Sequence, residues 1–253
     1  MFRMVLPSAE YFAKLMKAIN AVTDEGTFKV SADGIRLISM DPAHISLVDF
    51  ELSKEAMENF ECGSETDITV SVNDVMKLLK RAKKGESLEL VYDSNEKKLT
   101  LRLVDAPGSR ERIFQLNTLE RASNPPNVPK LNFEATARIN YNSMAEAIRD
   151  AGVASDYVKI VIAPEHVIFA AKSEFGGVET KLLKGGANIF EINAGKEVSA
   201  SFSINYLDKI VKGASKVSDE VILQLSTDKP IKIGFPIPSG KLEFLVAPRI
   251  EGV

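Results

Sequence analysis

Ser71-Val72-Asn73-Asp74-Val75-Met76-Lys77-Leu78-Leu79-Lys80-Arg81-Ala82 is written twice in this chain. The second copy is Ser203-Ile204-Asn205-Tyr206-Leu207-Asp208-Lys209-Ile210-Val211-Lys212-Gly213-Ala214. The serine, the asparagine, both lysines and the final alanine coincide, and aliphatic residues face aliphatic residues. Both copies carry the period of a short amphipathic helix. In the first, Val72, Val75, Met76 and Leu79 recur on one side at steps of three and four. Lys77, Lys80, Arg81 and Lys84 recur on the other side. Lys209, Lys212 and Lys216 repeat that basic stripe in the second copy. One lysine-rich helix face is ordinarily no more than a solvated face. Two of them at equivalent places in two halves describe a chain built to present a pair of basic helices.

The repeat divides the 253 residues into two domains, each large enough for its own core. We place the first at 1–118 and the second at 133–253. Residues 119–132 form a linker, where Ser123-Asn124-Pro125-Pro126-Asn127-Val128-Pro129 interrupts all periodicity. Closely spaced prolines cannot continue a helix or a central strand, so the linker should be extended and stiff. A hydrophobic content of 45% with 26% charged residues describes a globular chain. No apolar run has the length of a membrane span, and structured sequence follows Met1-Phe2-Arg3 directly, with no visible signal peptide. The single Cys62 excludes an internal disulfide and suits a reducing compartment. The net charge of −3 is a poor global signature for a nucleic-acid binder, so such a role requires segregated charge. The repeated basic helix supplies it.

Along the chain, Ser8 is the expected N-cap of a first helix with Phe12, Leu15, Met16 and Ile19 inward and Lys14 and Lys17 off that face. The period then changes to two. Strands are expected near 28–30 and 35–38 around an Asp33-Gly34 turn, then at 45–52 and 66–70. After the basic helix, further strands are expected at 88–91, 99–103 and 112–116. The second half opens with Ser143-Met144-Ala145-Glu146, read as a capping box. It heads a helix with Met144, Ala147, Ile148 and Ala151 inward and Arg149 turned away. Strands follow at 158–162, 167–171, 178–182 and 198–202, then after the second basic helix at 221–225, 231–235 and 242–246. Each half therefore reads as two helices and about eight or nine antiparallel strands, an α+β pattern.

Sites for chemistry are sparse. Gly176-Gly177 and Gly185-Gly186 lack the spacing of a phosphate-binding loop. Two histidines and one cysteine make no zinc site of ordinary ligand count, and no cofactor motif is present. Asp41 and His44 could form a catalytic pair, which keeps a hydrolase or nuclease open as a competing reading. The plainer reading places both on a loop leaving a strand.

Ser39-Met40-Asp41-Pro42-Ala43-His44 resembles the Ser-Met-Asp-x-x-His run of the sliding clamps related to proliferating cell nuclear antigen. The tail Leu245-Val246-Ala247-Pro248-Arg249-Ile250-Glu251 is similar to that family's closing Leu-Ala-Pro-Lys-Ile-Glu. With the duplication and mid-chain linker, the resemblance covers the whole chain. It implies a non-enzymatic two-domain subunit, three of which close into a ring around duplex DNA, with helices lining the hole. Helices spaced about 8–10 Å apart would give three such subunits a circumference of roughly 110 Å. That is wide enough for a duplex roughly 20 Å across. Lys14, Lys17, Lys77, Lys80, Arg81, Lys84, Arg149, Lys209, Lys212 and Lys216 would face the phosphates, independent of sequence.

The same resemblance implies a pocket for short peptide motifs of DNA polymerase, clamp loader, ligase and flap nuclease. It would be formed by Met40, His44, Ile45, Leu47, Val128, Pro129, Pro230, Leu245, Ala247, Pro248 and Ile250. Subunit contact would pair edge strands carrying Ile113, Phe114 and Leu116 on one chain and Val178, Thr180 and Leu182 on the next. The compact tail and single cysteine resemble archaeal members, implying a cytoplasmic, nucleoid-associated protein; a eukaryotic member would be nuclear. Residues 120–130 hold one acid where family linkers are commonly acidic. That departure leaves open a subunit of a heteromeric or checkpoint-type clamp.

Overall fold

A computed structural model describes residues 1–121, 125–174 and 176–249 of the chain. Two units separate by their internal contacts. The first comprises Met1–Met40, Val48–Val128 and Ile237–Leu242, and the second Asp41–Leu47, Pro129–Pro236 and Glu243–Val253.

The first half runs β1 (Phe2–Leu6), α1 (Ala9–Asn20), β2 (Glu25–Ser31), β3 (Gly34–Met40), β4 (Ser46–Ser53), β5 (Asn59–Cys62) and β6 (Thr66–Ser71). It continues through α2 (Val72–Leu79), β7 (Ser87–Asp93), β8 (Lys98–Val104) and β9 (Glu111–Asn117). Strands β5-β1-β7-β8-β9 form one antiparallel sheet, and β4-β3-β2-β6 lie in another. The helices α1 and α2 pack together. In α1 the Ser8 hydroxyl accepts from the Tyr11 amide at 3.1 Å, a cap worth about 1 kcal/mol, and Phe12, Leu15, Met16 and Ile19 are buried as expected.

The second half runs β10 (Ala135–Asn140), α3 (Tyr141–Ala154), β11 (Tyr157–Ala163), β12 (His166–Ser173), β13 (Gly176–Leu183), β14 (Ile189–Ala194) and β15 (Val198–Ser203). Then come α4 (Ile204–Gly213), β16 (Glu220–Leu225), β17 (Ile231–Gly234) and β18 (Gly240–Val246). One sheet has the order β13-β12-β11-β15, and β14-β10-β16-β17-β18 are neighbours in another. The α+β reading with duplicated helix and sheet halves is therefore correct.

Four local expectations are corrected. The basic period through Arg81 and Lys84 outruns its helix: α2 ends at Leu79, and both residues lie beyond the Lys80 C-cap. Amides of Arg81 and Ala82 close the last turn onto Leu78 and Leu79 carbonyls at 3.0 and 2.9 Å, three residues back, which tightens the helix to a stop. Likewise Lys216 lies past the end of α4, in a left-handed backbone conformation (φ 67°). The capping box is displaced, because α3 starts at Tyr141 and Asn140 is its N-cap, accepting from the Ser143 amide at 3.2 Å. Finally, the β2–β3 turn is Ala32-Asp33, and Gly34 is the first residue of β3, paired with Ser31. Gly34 is required there by contact as well as by its φ of 140°: a Cβ would stand 2.3 Å from the Leu52 carbonyl oxygen.

The strands β1, β5, β10 and β14 had no sequence expectation. Their alternation is short, and β10 buries only Ala135, Ala137 and Ile139.

Candidate nucleic-acid and partner surfaces

Several of the basic residues are held by acids on their own helices. In the first unit, Lys14 meets Glu10 at 3.4 Å, and Lys77 meets Asp74 at 2.8 Å. This ammonium, with the Ser71 hydroxyl behind it, holds the Asp74 carboxyl below its ordinary pKa. Lys17 is exposed in the last turn of α1. Lys80, Arg81 and Lys84 are exposed and make no ion pair among the described residues. In the second unit Lys212 meets Asp208 at 2.6 Å, and the Lys209 ammonium lies 5.9 Å from the Tyr206 ring centre. Arg149 is exposed on α3, and Lys216 is exposed after α4. The intrahelical acids were legible as i,i+3 and i,i+4 spacings. They orient Lys77 and Lys212 while their exposed ends remain open to an anion.

The loop 41–47 belongs to the second unit and is organised by one carboxylate. Asp41 is 7% exposed and accepts from the amides of Ala43 at 2.9 Å and Ile45 at 2.8 Å, and from the Ser46 hydroxyl at 3.1 Å. The Ser46 amide and, at 3.4 Å, the Tyr206 hydroxyl also donate to it. Burial alone would raise the Asp41 pKa. The hydrogen bonds from Ser46, Ala43 and Ile45 outweigh it and hold the carboxyl below its ordinary value. Burial raises Tyr206, with the Asp41 charge and hydrogen bond adding to the effect. His44 points the chain through a left-handed turn (φ 60°) and is exposed. Asp41 is thus a frame for the loop, its oxygens taken up by loop amides.

The tail joins this loop within the same unit. The Ala247 amide donates to the Ile45 carbonyl at 2.8 Å, and the Arg249 amide donates to the Ser201 carbonyl at 2.7 Å, which pins the half-buried Pro248 between two fixed points. The Arg249 guanidinium lies 4.1 Å from the Tyr157 ring centre. Pro230 is half-buried and Pro129 exposed. Leu47 and Leu245, at 3% and 8% exposed, contribute core rather than accessible wall. Met40 and Val128, both half-buried, fall in the first unit, and Ile250 lies outside the described residues. Sequence reading missed Tyr206, whose position in the repeat is occupied by Asp74 in the first copy.

The strands named for subunit contact are both sheet edges. Strand β9 ends the five-stranded sheet and leaves Ile113 53% exposed, with Phe114 and Leu116 half-buried. Strand β13 ends the four-stranded sheet, with Val178 and Thr180 half-buried and Leu182 buried. Among the described residues no group of three or more His, Cys, Asp or Glu could hold a metal ion. No helix among them is long and apolar enough to cross a membrane.

A duplicated α+β chain with two pairs of helices is the architecture of a DNA clamp subunit. Residues 1–122 match the family model of the proliferating cell nuclear antigen N-terminal domain, and residues 127–250 match that of its C-terminal domain. A DNA polymerase sliding clamp of Thermofilum pendens is 30% identical over 252 residues, covering 99% of this chain and all of that one. DNA polymerase sliding clamp 1 of Pyrobaculum aerophilum is 31% identical over 244 residues, 96% of each chain. The crystal structure of the Thermococcus kodakaraensis antigen shares the fold, with a TM-score of 0.93 at 24% identity over 98% of this chain and all of that one. The chain belongs to the proliferating cell nuclear antigen family of sliding clamps.

Proposed function

We propose that this chain is one of three subunits of a ring that encircles duplex DNA and tethers polymerase and other replication and repair enzymes to it. The observation that carries this reading is the doubled basic helix, in which Lys77 and Lys80 match Lys209 and Lys212. Lysines that meet only phosphates bind without regard to sequence and permit sliding. Lys14, Lys17 and Arg149 join them as DNA-facing residues, and Arg81, Lys84 and Lys216 do so from the loops beyond the helix ends. The two clamp domains are 1–118 and 133–253, joined by 119–132. Clients would dock as short peptides against His44, Ile45, Ala247 and Pro248. Edge strands β9 and β13 would join neighbouring subunits. The chain itself would perform no reaction: loop amides engage Asp41, which argues against its use as a catalytic base. The setting would be the archaeal cytoplasm, on the nucleoid, a reading that its archaeal relatives support.

Neutralising Lys77, Lys80, Lys209 and Lys212 together tests the DNA face. Each lost phosphate contact should flatten the log–log salt dependence of DNA binding by about 0.9. The variant should fold and assemble yet lose processive synthesis. Full processivity in that variant would refute the assignment.

A further inference from the structure

A ladder of alternating charge crosses the sheet β5-β1-β7-β8-β9, with one member on each strand. Glu61 meets Arg3 at 3.1 Å, Arg3 meets Glu89 at 2.6 Å, Glu89 meets Arg102 at 3.1 Å and Arg102 meets Glu111 at 3.4 Å. Glu89, 8% exposed, is held between two guanidiniums. The run ends on a carboxylate, since Glu111 sits on the edge strand β9 and no strand among the described residues lies beyond it. Opposite charges on adjacent strands support pairing and like charges oppose it, so the open end asks for a cation on whatever strand comes next.

Strand β13 offers one. Val178, Thr180 and Leu182 pair with the buried Ala171, Phe169 and Val167, so they share the core face of their sheet. Alternation puts Glu179, Lys181 and Leu183 on the other face. Lys181 is exposed and makes no ion pair among the described residues. The next cation, Lys184, is already held by Glu165 at 3.2 Å.

We propose that Glu111 pairs with Lys181 of a second copy of this chain, completing the charge ladder across the junction and selecting the register in which β9 meets β13. The proposal rests on the edge-strand contact put forward above. It commits to a second copy on charge: a neighbouring edge with an acid at that place would set two carboxylates together. An exposed ion pair adds little affinity, but a reversed charge converts attraction to repulsion at every junction of the ring. Glu111 and Lys181 are therefore specificity-determining residues.

The test is sedimentation equilibrium of the full chain as wild type, Glu111→Lys, Lys181→Glu and the double reversal. Each single reversal should weaken self-association about fivefold to tenfold per contact. The double reversal should return it to within about twofold of wild type, the signature of direct coupling. In about 1 M salt, where the screening length is about 3 Å, the single variants should approach wild type. Glu111→Lys also faces Arg102, so Glu111→Gln, which adds no charge, should give an intermediate loss with an unchanged melting curve. Single reversals without effect, or a double no better than its parts, would overturn the pairing. Val178→Glu separates the two levels. If it abolishes assembly while the reversals do nothing, the edge contact stands and the charge closure falls. If it changes nothing, or the wild-type chain is monomeric at about 100 μM, a concentration at which a specific interface is well populated, both fall.

Discussion

Replacing Asp41 with alanine should unravel the loop 41–47 and, with it, the surface proposed above for client peptides. The side chain is 7% exposed, and its loss strips the acceptor from the amides of Ala43, Ile45 and Ser46. Ala43 is exposed, so water can replace that bond; Ser46 is 2% exposed and Ile45 half-buried, so theirs cannot be replaced fully. An unsatisfied buried donor costs about 1–3 kcal/mol, which sets the expected destabilisation at about 2–4 kcal/mol. Asp41→Asn retains one acceptor oxygen and should lose about half as much. The folded pKa of Asp41 is lowered, so its contribution is complete above the unfolded carboxyl value of about 3.9 and disappears as pH falls through the folded value. Stability of the wild type should thus drop more steeply than that of Asp41→Asn below about pH 4, and the two should run parallel near neutrality. Urea unfolding followed by circular dichroism gives the stability, and amide hydrogen exchange at Ile45 and Ser46 reports the loop. Because the Ile45 carbonyl also receives the Ala247 amide, client peptides should bind Asp41→Ala about tenfold more weakly, the added cost being the ordering of the loop on binding. An alanine variant with an unchanged urea midpoint and unchanged exchange at both amides would refute this account.

Two further outcomes are expected. Gly34→Ala should destabilise the first unit by about 2–4 kcal/mol, since it combines a disfavoured φ with a Cβ 2.3 Å from the Leu52 carbonyl oxygen; a calorimetric scan that matches wild type would show that β3 relaxes away from β4. Pro248→Ala should weaken client peptides by about 1–3 kcal/mol in calorimetric titration while leaving assembly intact, and unchanged affinity would move the docking site off the tail.

The elements that were legible in the sequence are those whose information is local. Ser8 and the Phe12, Leu15, Met16, Ile19 stripe define α1 without reference to anything distant, and Ser71 and Ser203 stand immediately before the two basic helices. Periodicity could not find where α2 stops, because Arg81 and Lys84 are as polar in a loop as on a helix. Nor did it place the start of α3, where the sequence reading rests on the Ser143 capping box alone. Ser143 and Glu146 fit a capping box, and Asn140 fits a cap three residues earlier. The choice is made by the Asp219 carbonyl, which takes the Tyr141 amide at 2.9 Å from far along the chain. The loop frame around Asp41 was half legible: the Asp41–His44 segment drew notice, but the Asp41 carboxylate faces backbone amides that carry no sequence signal. Tyr206 could have been found only by asking what a polar ring does at the one aromatic position of the repeat.

The Asp219 contact is one of four that extend the duplication beyond what sequence displays. The first amide of α1, on Ala9, donates to the Glu86 carbonyl just past α2, and the first amide of α2, on Val72, donates to the Asp24 carbonyl just past α1, each at 2.9 Å. In the second unit the Tyr141 amide of α3 reaches Asp219 past α4, and the Ile204 amide of α4 reaches Asp156 past α3, again at 2.9 Å. Each helix therefore begins on the exit loop of its partner, and an amide that a lone helix would leave to water is closed within the pair. At α4, where the N-cap Ser203 makes no side-chain cap hydrogen bond, the first amide is still closed by this backbone contact. Loss of either helix in a pair would remove a closure from the other, so the two should come apart as one cooperative unit. The basic faces are for that reason properties of helix pairs, not of helices, and the equivalent lysines of the two copies inherit the same support from four backbone contacts that no side chain encodes.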